Sequence, residues 1–113
     1  MLAYCPGKIA VPTPGTPVRL PGCPLSSDGR VSRIDWTAPT SMSGASVFVG
    51  MFATMVKATG VGVLKELMKP VAAAFSDMYS TPEMDAGNAI NPLDFAVDAQ
   101  TASDGPYVVY WVN

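Results

Sequence analysis

Histidine is absent from this chain of 113 residues. The commonest general base and the commonest metal ligand of proteins are therefore missing, and serine, threonine and cysteine have no imidazole to activate them. No GxSxG, GxGxxG or P-loop pattern occurs in the sequence. Asp94 and Asp98 would lie about 13 Å apart on the polar face of one strand, beyond the separation that glycosidase carboxylates use. We therefore expect no enzyme activity, no bound metal and no cofactor.

Charged residues are scarce, at 14% of the chain against about a quarter in typical soluble domains. The net charge is −2, and lysine and arginine do not cluster. This pattern provides no basic surface for a phosphate backbone, so no nucleic-acid partner is expected. The surface must consist largely of small polar residues, glycine and proline, which suits packing against other protein.

Cysteine occurs twice, at Cys5 and Cys23. Two cysteines without histidine cannot form a four-ligand zinc site of the usual spacing. A disulfide between them and two free thiols both remain possible. The first residues lack a basic segment followed by an unbroken apolar core, so we expect no signal peptide and synthesis in the cytoplasm.

Proline is concentrated at the start, where residues 1–24 hold six of the eleven prolines. Proline fixes φ and removes a backbone donor, so this segment cannot be a helix. We expect an extended arm with a short edge strand at Thr16–Leu20, next to Pro17. The arm either contacts another subunit or lies across its own domain, which residues 25–113 would form.

The longest apolar run, Ser46–Leu64, raises the question of a membrane span, because a transmembrane helix needs about 20 apolar residues. Three glycines and a central Lys57 argue against a span. The β-branched and aromatic residues instead favour strands at Ser46–Val56 and Val61–Leu67. A turn at Lys57–Gly60 would join them, with Lys57 on its solvent side.

Three further segments predict the rest of an all-β domain. Residues 32–37 and 92–100 alternate between apolar and polar positions, as half-buried strands do. Residues 107–112 are apolar on both faces, which is typical of a strand that is central in its sheet or covered by a partner. One short helix is expected around Pro70–Met78, where apolar residues follow a helical spacing. The expected fold is a single-domain β-sandwich.

Aromatic residues supply the candidate contact sites. Trp36, Trp111, Tyr107 and Tyr110 more often form a core or a subunit interface than a sugar site, since each buries a large area. Together with the Pro-rich arm they give the candidate partner-contact residues Pro12, Pro14, Val18, Arg19, Leu20, Tyr107, Tyr110 and Trp111.

The order of three phrases carries a resemblance: GTPVRL early, SVFVGMF and MVKATGVGVL in the middle, and NPLDFAVDAQTASDGPYVVYWV at the end. In this order the chain resembles the small decoration or cement proteins of tailed-bacteriophage heads. The resemblance implies a jelly-roll-like sandwich on the outside of the virion capsid. It implies two partners, the major capsid protein and further copies of this chain in a homodimer or homotrimer. The implied role is multivalent clamping of neighbouring capsid subunits.

Two other classes remain open from the sequence. A small phage membrane protein of the lysis type would use residues 42–64 as its span. A carbohydrate-binding attachment module of the virion would need its aromatic residues exposed.

Overall fold

The structure is a computed structural model that describes residues 1–70, 76–82 and 87–113. Strands dominate these residues, and the one helical element is a single 3-10 turn, Pro92–Asp94. The eight strands are β1 (Leu2–Lys8), β2 (Val18–Arg19), β3 (Arg33–Thr37), β4 (Ser46–Met51), β5 (Val63–Met68), β6 (Met78–Ser80), β7 (Phe95–Ala99) and β8 (Tyr107–Val112). The predicted all-β class is confirmed.

The strands form two four-stranded antiparallel sheets. The first sheet has the order β1-β8-β3-β6, and the second has the order β2-β7-β4-β5. One buried apolar cluster takes side chains from both sheets, which therefore pack face to face as a sandwich.

Trp36 on β3 lies at the centre of this core. Its ring centroid is 5.6 Å from that of Tyr79 on β6 and 5.5 Å from that of Phe95 on β7. The contact with Phe95 joins the two sheets, whereas the contact with Tyr79 lies within the first sheet. Such aromatic pairs add about 0.5–1.5 kcal/mol each beyond the area they bury. The alternation predicted for residues 32–37 is confirmed, because Ser32, Ile34 and Trp36 are all buried.

Strand β8 is central in the first sheet, as its apolar composition predicts. It pairs with β1 on one side and β3 on the other, so that Tyr110 lies between Tyr4 and Ile34. The chain just before β8 makes a close contact: a Cβ added to Gly105 would lie 1.8 Å from the carbonyl oxygen of Ile9, the residue after β1. Only glycine allows the two segments to approach this closely.

The structure of the segment 92–100 differs from one sequence prediction. Its first residues form the 3-10 turn, capped by the Asn91 side chain, which accepts from the Leu93 backbone N–H. Leu93 is consequently exposed, whereas Asp98 is buried and accepts hydrogen bonds from the backbone of Gly15 and Ala99 at 3.0 and 2.8 Å. The prediction that Asp94 and Asp98 share a polar strand face was wrong, because the strand begins only at Phe95 and is buried from Ala96 to Ala99.

The apolar run is a pair of strands with a folded-back connection. Strands β4 and β5 pair, and a Val56–Val61 bridge closes the predicted turn. Residues 52–62, here called the flap, lie over the outer face of the second sheet, where Met55 packs on Phe48 and Ala96. Among the residues described, no helix is long and apolar enough to cross a membrane.

Lys57 does not mark the solvent side of that turn, contrary to the sequence prediction. Its ammonium group is half-buried and donates a hydrogen bond of 2.6 Å to the carbonyl oxygen of Ala99, at the end of β7. Because the flap folds back over the sheet, the Lys57 side chain reaches the backbone of β7.

Residues 1–24 lie on their own domain in this structure. Strand β1 forms one edge of the first sheet and β2 one edge of the second, as predicted for the residues around Pro17. Val11 and Leu20 are buried, and Gly15 is bonded to Asp98. Contact of this segment with another subunit stays a prediction.

The helix predicted around Pro70–Met78 is only partly covered by the described residues. Residues 71–75 lie outside them, and Met78 begins strand β6. At its C-terminal end the helix prediction was therefore wrong.

Candidate interaction surface

The outer face of the first sheet carries large side chains from its two central strands. Val108, Tyr110 and Val112 point into the core, so the alternate residues of β8 point outward. Their neighbours on β3 and β6 complete the surface, because Trp111 pairs with Arg33, and Tyr107 pairs with Thr37, which pairs with Met78. We call this surface the aromatic face and define it by Tyr107, Val109, Trp111, Arg33, Asp35 and Met78.

Trp111 is held in place by two charged neighbours. The guanidinium carbon of Arg33 lies 5.0 Å from the centre of the indole ring, and the indole Nε1 donates to Asp35 Oδ2 at 2.7 Å. Arg33 and Asp35 are themselves paired, with Nε 3.2 Å from Oδ1. The three side chains contact one another, so little rotamer freedom remains to be lost when a partner covers them.

Two members of the aromatic face are open to solvent. Tyr107 is 47% exposed and Met78 is 56% exposed. Both are register partners of Thr37, which lies on β3 between their two strands. Large aromatic, methionine and arginine side chains on a firm backbone are the composition of protein–protein contact sites. The aromatic face therefore has the composition and the exposure of a protein contact site.

The structure brings together two of the predicted contact residues on β8, and it corrects the third. Tyr107 and Trp111 lie on the aromatic face, but Tyr110 is fully buried in the core. Its hydroxyl donates to the Pro21 carbonyl oxygen. Burial, with smaller effects from Cys23 and Tyr4, raises the pKa of Tyr110 well above its usual range. Tyr110 cannot touch a partner because it faces the other sheet.

The predicted contact residues of the N-terminal segment lie away from the aromatic face, in β2 of the second sheet or in the chain on either side of it. Leu20 is buried and offers no contact surface, which corrects its prediction. Val18 is half-buried and packs against the core, and its contact with a partner stays a prediction. Arg19 and Pro12 are exposed, and Pro14 is half-buried.

Four members of the aromatic face were missed in the sequence. Val109 was missed because β8 is apolar on both faces. Arg33 and Asp35 alternate with the buried Ile34 and Trp36, a pattern that marks them as the outer positions of β3. Their position beside Trp111 depends on the pairing of β3 with β8, which no local pattern reveals. Met78 was missed because its segment was read as a helix.

A second surface feature lies at the β2 edge of the other sheet. It is a groove of about 130 Å³, lined by Arg19, Met51, Phe52, Ala53, Leu93 and Asp94. The guanidinium carbon of Arg19 lies 4.0 Å from the centre of the Phe52 ring. Phe52 enters the groove from the start of the flap, where its backbone N–H donates to the Asp94 carbonyl oxygen at 2.9 Å.

In the described part of the chain, no cluster of three or more histidine, cysteine, aspartate or glutamate side chains could hold a metal ion. Cys5 is exposed and Cys23 buried, and both are free thiols.

Comparison with known proteins gives no match to a protein-family model, to a curated protein or to a solved structure. Any function assigned to the chain therefore has to rest on its fold and on these two surfaces.

Proposed function

We propose that this protein is a non-enzymatic structural component of a tailed-bacteriophage virion. It is synthesised in the host cytoplasm and binds the outer surface of the assembled head through its aromatic face. It stabilises the head by clamping neighbouring copies of the major capsid protein. The observation that carries this proposal is the preorganised set of Trp111, Arg33 and Asp35 on the exposed face of a rigid, central strand pair.

The strand order supports the viral assignment through the fold. Four pairings, β1 with β8, β2 with β7, β3 with β6, and β4 with β5, alternate between the first and the second sheet. A long antiparallel ribbon rolled over itself gives this order, and we propose that the sandwich is a jelly roll. Jelly rolls with eight strands are common in viral capsid proteins and in lectins. Fold alone does not assign function, so the surface must decide between these classes.

The aromatic face favours a protein partner over a sugar. A sugar-binding tryptophan offers the flat face of its ring to the ligand, but Arg33 lies over the Trp111 ring and Asp35 engages its Nε1. Tyr107 and Met78 extend the exposed surface along a row across the sheet. A flat surface of rigid anchors suits a flat partner such as a capsid exterior.

Clamping follows from repetition of this contact. A capsid presents the same surface many times, so an oligomer of this chain that touches several subunits gains effective concentration with each added contact. Individually weak contacts then sum to a hold that resists outward pressure on the shell. The scarcity of charge on the protein fits a permanent contact that salt hardly weakens.

The test is co-sedimentation of the purified protein with heads assembled from the major capsid protein of the phage. We expect saturable binding and a higher melting temperature of the heads. Tyr107→Ser should weaken binding about 30-fold, because it removes an exposed anchor of the kind that dominates interfaces. Leu64→Ser is the matched control, since Leu64 is 42% exposed on β5 of the other sheet.

The proposal is overturned if the protein does not bind the heads, or if Leu64→Ser weakens binding as much as Tyr107→Ser. Binding of an oligosaccharide with a change in Trp111 fluorescence, and no binding to heads, would assign the face to a sugar instead.

A further inference from the structure

The groove at the β2 edge is apolar inside and charged at its rim. Met51, Phe52, Ala53 and Leu93 supply its apolar lining, and Arg19 and Asp94 supply its charges. Its volume of about 130 Å³ is close to that of cavities that take up a single small apolar ring. One branched aliphatic side chain is therefore the right size of occupant.

The apolar lining is unusually open to solvent. Phe52 is 37% exposed and Leu93 is 42% exposed, although both are large apolar side chains next to a groove. Leu93 is turned outward by the 3-10 turn and its Asn91 cap, and Phe52 is fixed by its backbone bond to Asp94. The two side chains thus stand in defined positions at the mouth of the groove.

The two rim charges do not neutralise each other. Over the described ranges, the ion pairs are Arg30 with Asp28 and Arg33 with Asp35, so neither Arg19 nor Asp94 has an oppositely charged partner there. Arg19 instead lies over the Phe52 ring, which keeps its charge at the rim. A partner that covers the groove must therefore supply one anion and one cation.

A second copy of this chain supplies both. We propose that the groove binds the same groove of another copy about a two-fold axis, with Leu93 of each copy entering the groove of the other. The same rotation places Arg19 of each copy against Asp94 of the other, so a single surface forms two identical ion pairs. Self-complementarity of this kind is what an isologous contact requires. A partner surface with charges of only one sign at this contact would leave one of the two rim groups unpaired.

This contact lies on the second sheet, whereas the aromatic face lies on the first. It provides the dimer on which multivalent clamping in the proposed function relies, and it does not depend on what the aromatic face binds. The two surfaces can therefore be tested separately.

The test is a charge swap measured by sedimentation equilibrium without any capsid. We expect the unaltered protein to be a dimer. Arg19→Asp or Asp94→Arg alone should weaken dimerisation at least tenfold, because like charges then meet across the axis. The double variant Arg19→Asp, Asp94→Arg should restore the dimer, since the pairs reform with exchanged signs. A residue with only a structural role would not show this rescue.

Two controls accompany the swap. Lys65→Asp makes the same change of charge on exposed strand β5, at the opposite edge of the same sheet, and should leave dimerisation unchanged. Leu93→Ser removes the side chain that enters the groove and should give a monomer, with far-ultraviolet circular dichroism confirming the fold. A monomeric unaltered protein, or an oligomer that all these variants leave intact, overturns the contact. A dimer that responds to the swap but does not bind heads leaves the contact standing and overturns the proposed function.

Discussion

Tyr110 is an ionisable residue in the core. Its phenol lies between the two sheets, and its hydroxyl donates a hydrogen bond to the Pro21 carbonyl oxygen. Burial raises its pKa above the ordinary value of 10.0. The folded protein therefore keeps the proton that the unfolded chain releases above about pH 10. The stability that the neutral phenol contributes is fully present below about pH 10 and is lost as the pH rises further.

We predict that Tyr110→Phe makes the protein less stable at neutral pH and less sensitive to alkali. Loss of the hydrogen bond to Pro21 should lower the free energy of unfolding by about 1 kcal/mol near pH 8. Between about pH 10 and 12 the unaltered protein should lose stability faster than the variant, because only it must bury an ionising phenol. Urea unfolding at several pH values measures both effects, and parallel pH curves would contradict the prediction.

The outward or inward direction of single side chains was only partly predictable from the sequence. Residues 32–37 alternate in polarity, so the buried positions Ile34 and Trp36 could be assigned. Strand β8 is apolar on both faces, so nothing local distinguishes Tyr110, which is buried, from Trp111, which is outward. The burial of Asp98 depends on Gly15, whose N–H reaches it from a distant part of the chain.

At the scale of elements, the flap is fastened to the rest of the domain at its beginning and at its middle. Its beginning is held by the bond from Phe52 to Asp94, and its turn by the bond from Lys57 to Ala99. Met55 packs between them on Phe48 and Ala96. The flap therefore gives the second sheet a small core on its outer side.

We predict that Lys57→Met loosens the flap. The substitution keeps the length and apolar part of the side chain but removes the donor to the Ala99 carbonyl oxygen. Hydrogen bonds from charged groups contribute about 1.5–3 kcal/mol, and the half-buried position of Lys57 places this one at the lower end. We expect a loss of about 1.5 kcal/mol in urea unfolding and faster amide exchange at Val56, which donates to Val61.

Lys65→Met is the control for this prediction, because Lys65 is an exposed lysine of the neighbouring strand. It should change stability by less than about 0.5 kcal/mol. Equal effects of the two substitutions would show that the Lys57 bond does not hold the flap.

The sequence predicted that the apolar run forms two strands and a turn, but it did not predict how they are arranged. Its glycines indicated a turn, and Gly60 and Gly62 do adopt positive φ values of 77° and 71°. The return of the flap over the sheet could not be predicted, because β4 is buried on both faces and the sequence does not say what covers each. The sequence prediction placed Lys57 in solvent because the return of the flap over the sheet could not be foreseen.

At the scale of the whole molecule, β1 shields the most apolar strand of the protein. Strand β8 has the sequence YVVYWV and is flanked by β1 and β3. Without β1 it would be an exposed edge strand of high β-propensity with no charge, which is a template for aggregation. The bulge after Tyr4 and the proline that follows interrupt the regular edge of β1 itself.

We predict that deletion of residues 1–8 makes the protein aggregate. Light scattering should rise within minutes at concentrations at which the full chain stays clear, because the backbone groups of β8 that pair with β1 become free. A synthetic peptide of residues 1–8 added in trans should suppress the scattering, and a scrambled peptide should not. A deletion variant that stays dispersed and cooperatively folded would mean that β1 does not protect β8.

The β-sandwich itself follows from patterns that the sequence displays, namely short alternating segments separated by turns. The order of its strands does not. The pairing of β1 with β8 joins Tyr4 to Tyr110, and that of β2 with β7 joins Val18 to Val97. Such pairings depend on packing of the complete chain, which a reading of local periodicity cannot supply.

The central position of β8 also has a consequence for biosynthesis. Strands β1 and β3 both need β8 as a neighbour, yet about 70 residues separate β3 from it, which ribosomes take several seconds to add. The first sheet cannot close during that interval, and non-local pairing is slow even when the chain is complete. We expect the yield of folded protein to be set by the protection of the nascent chain during translation rather than by the stability of the finished sandwich.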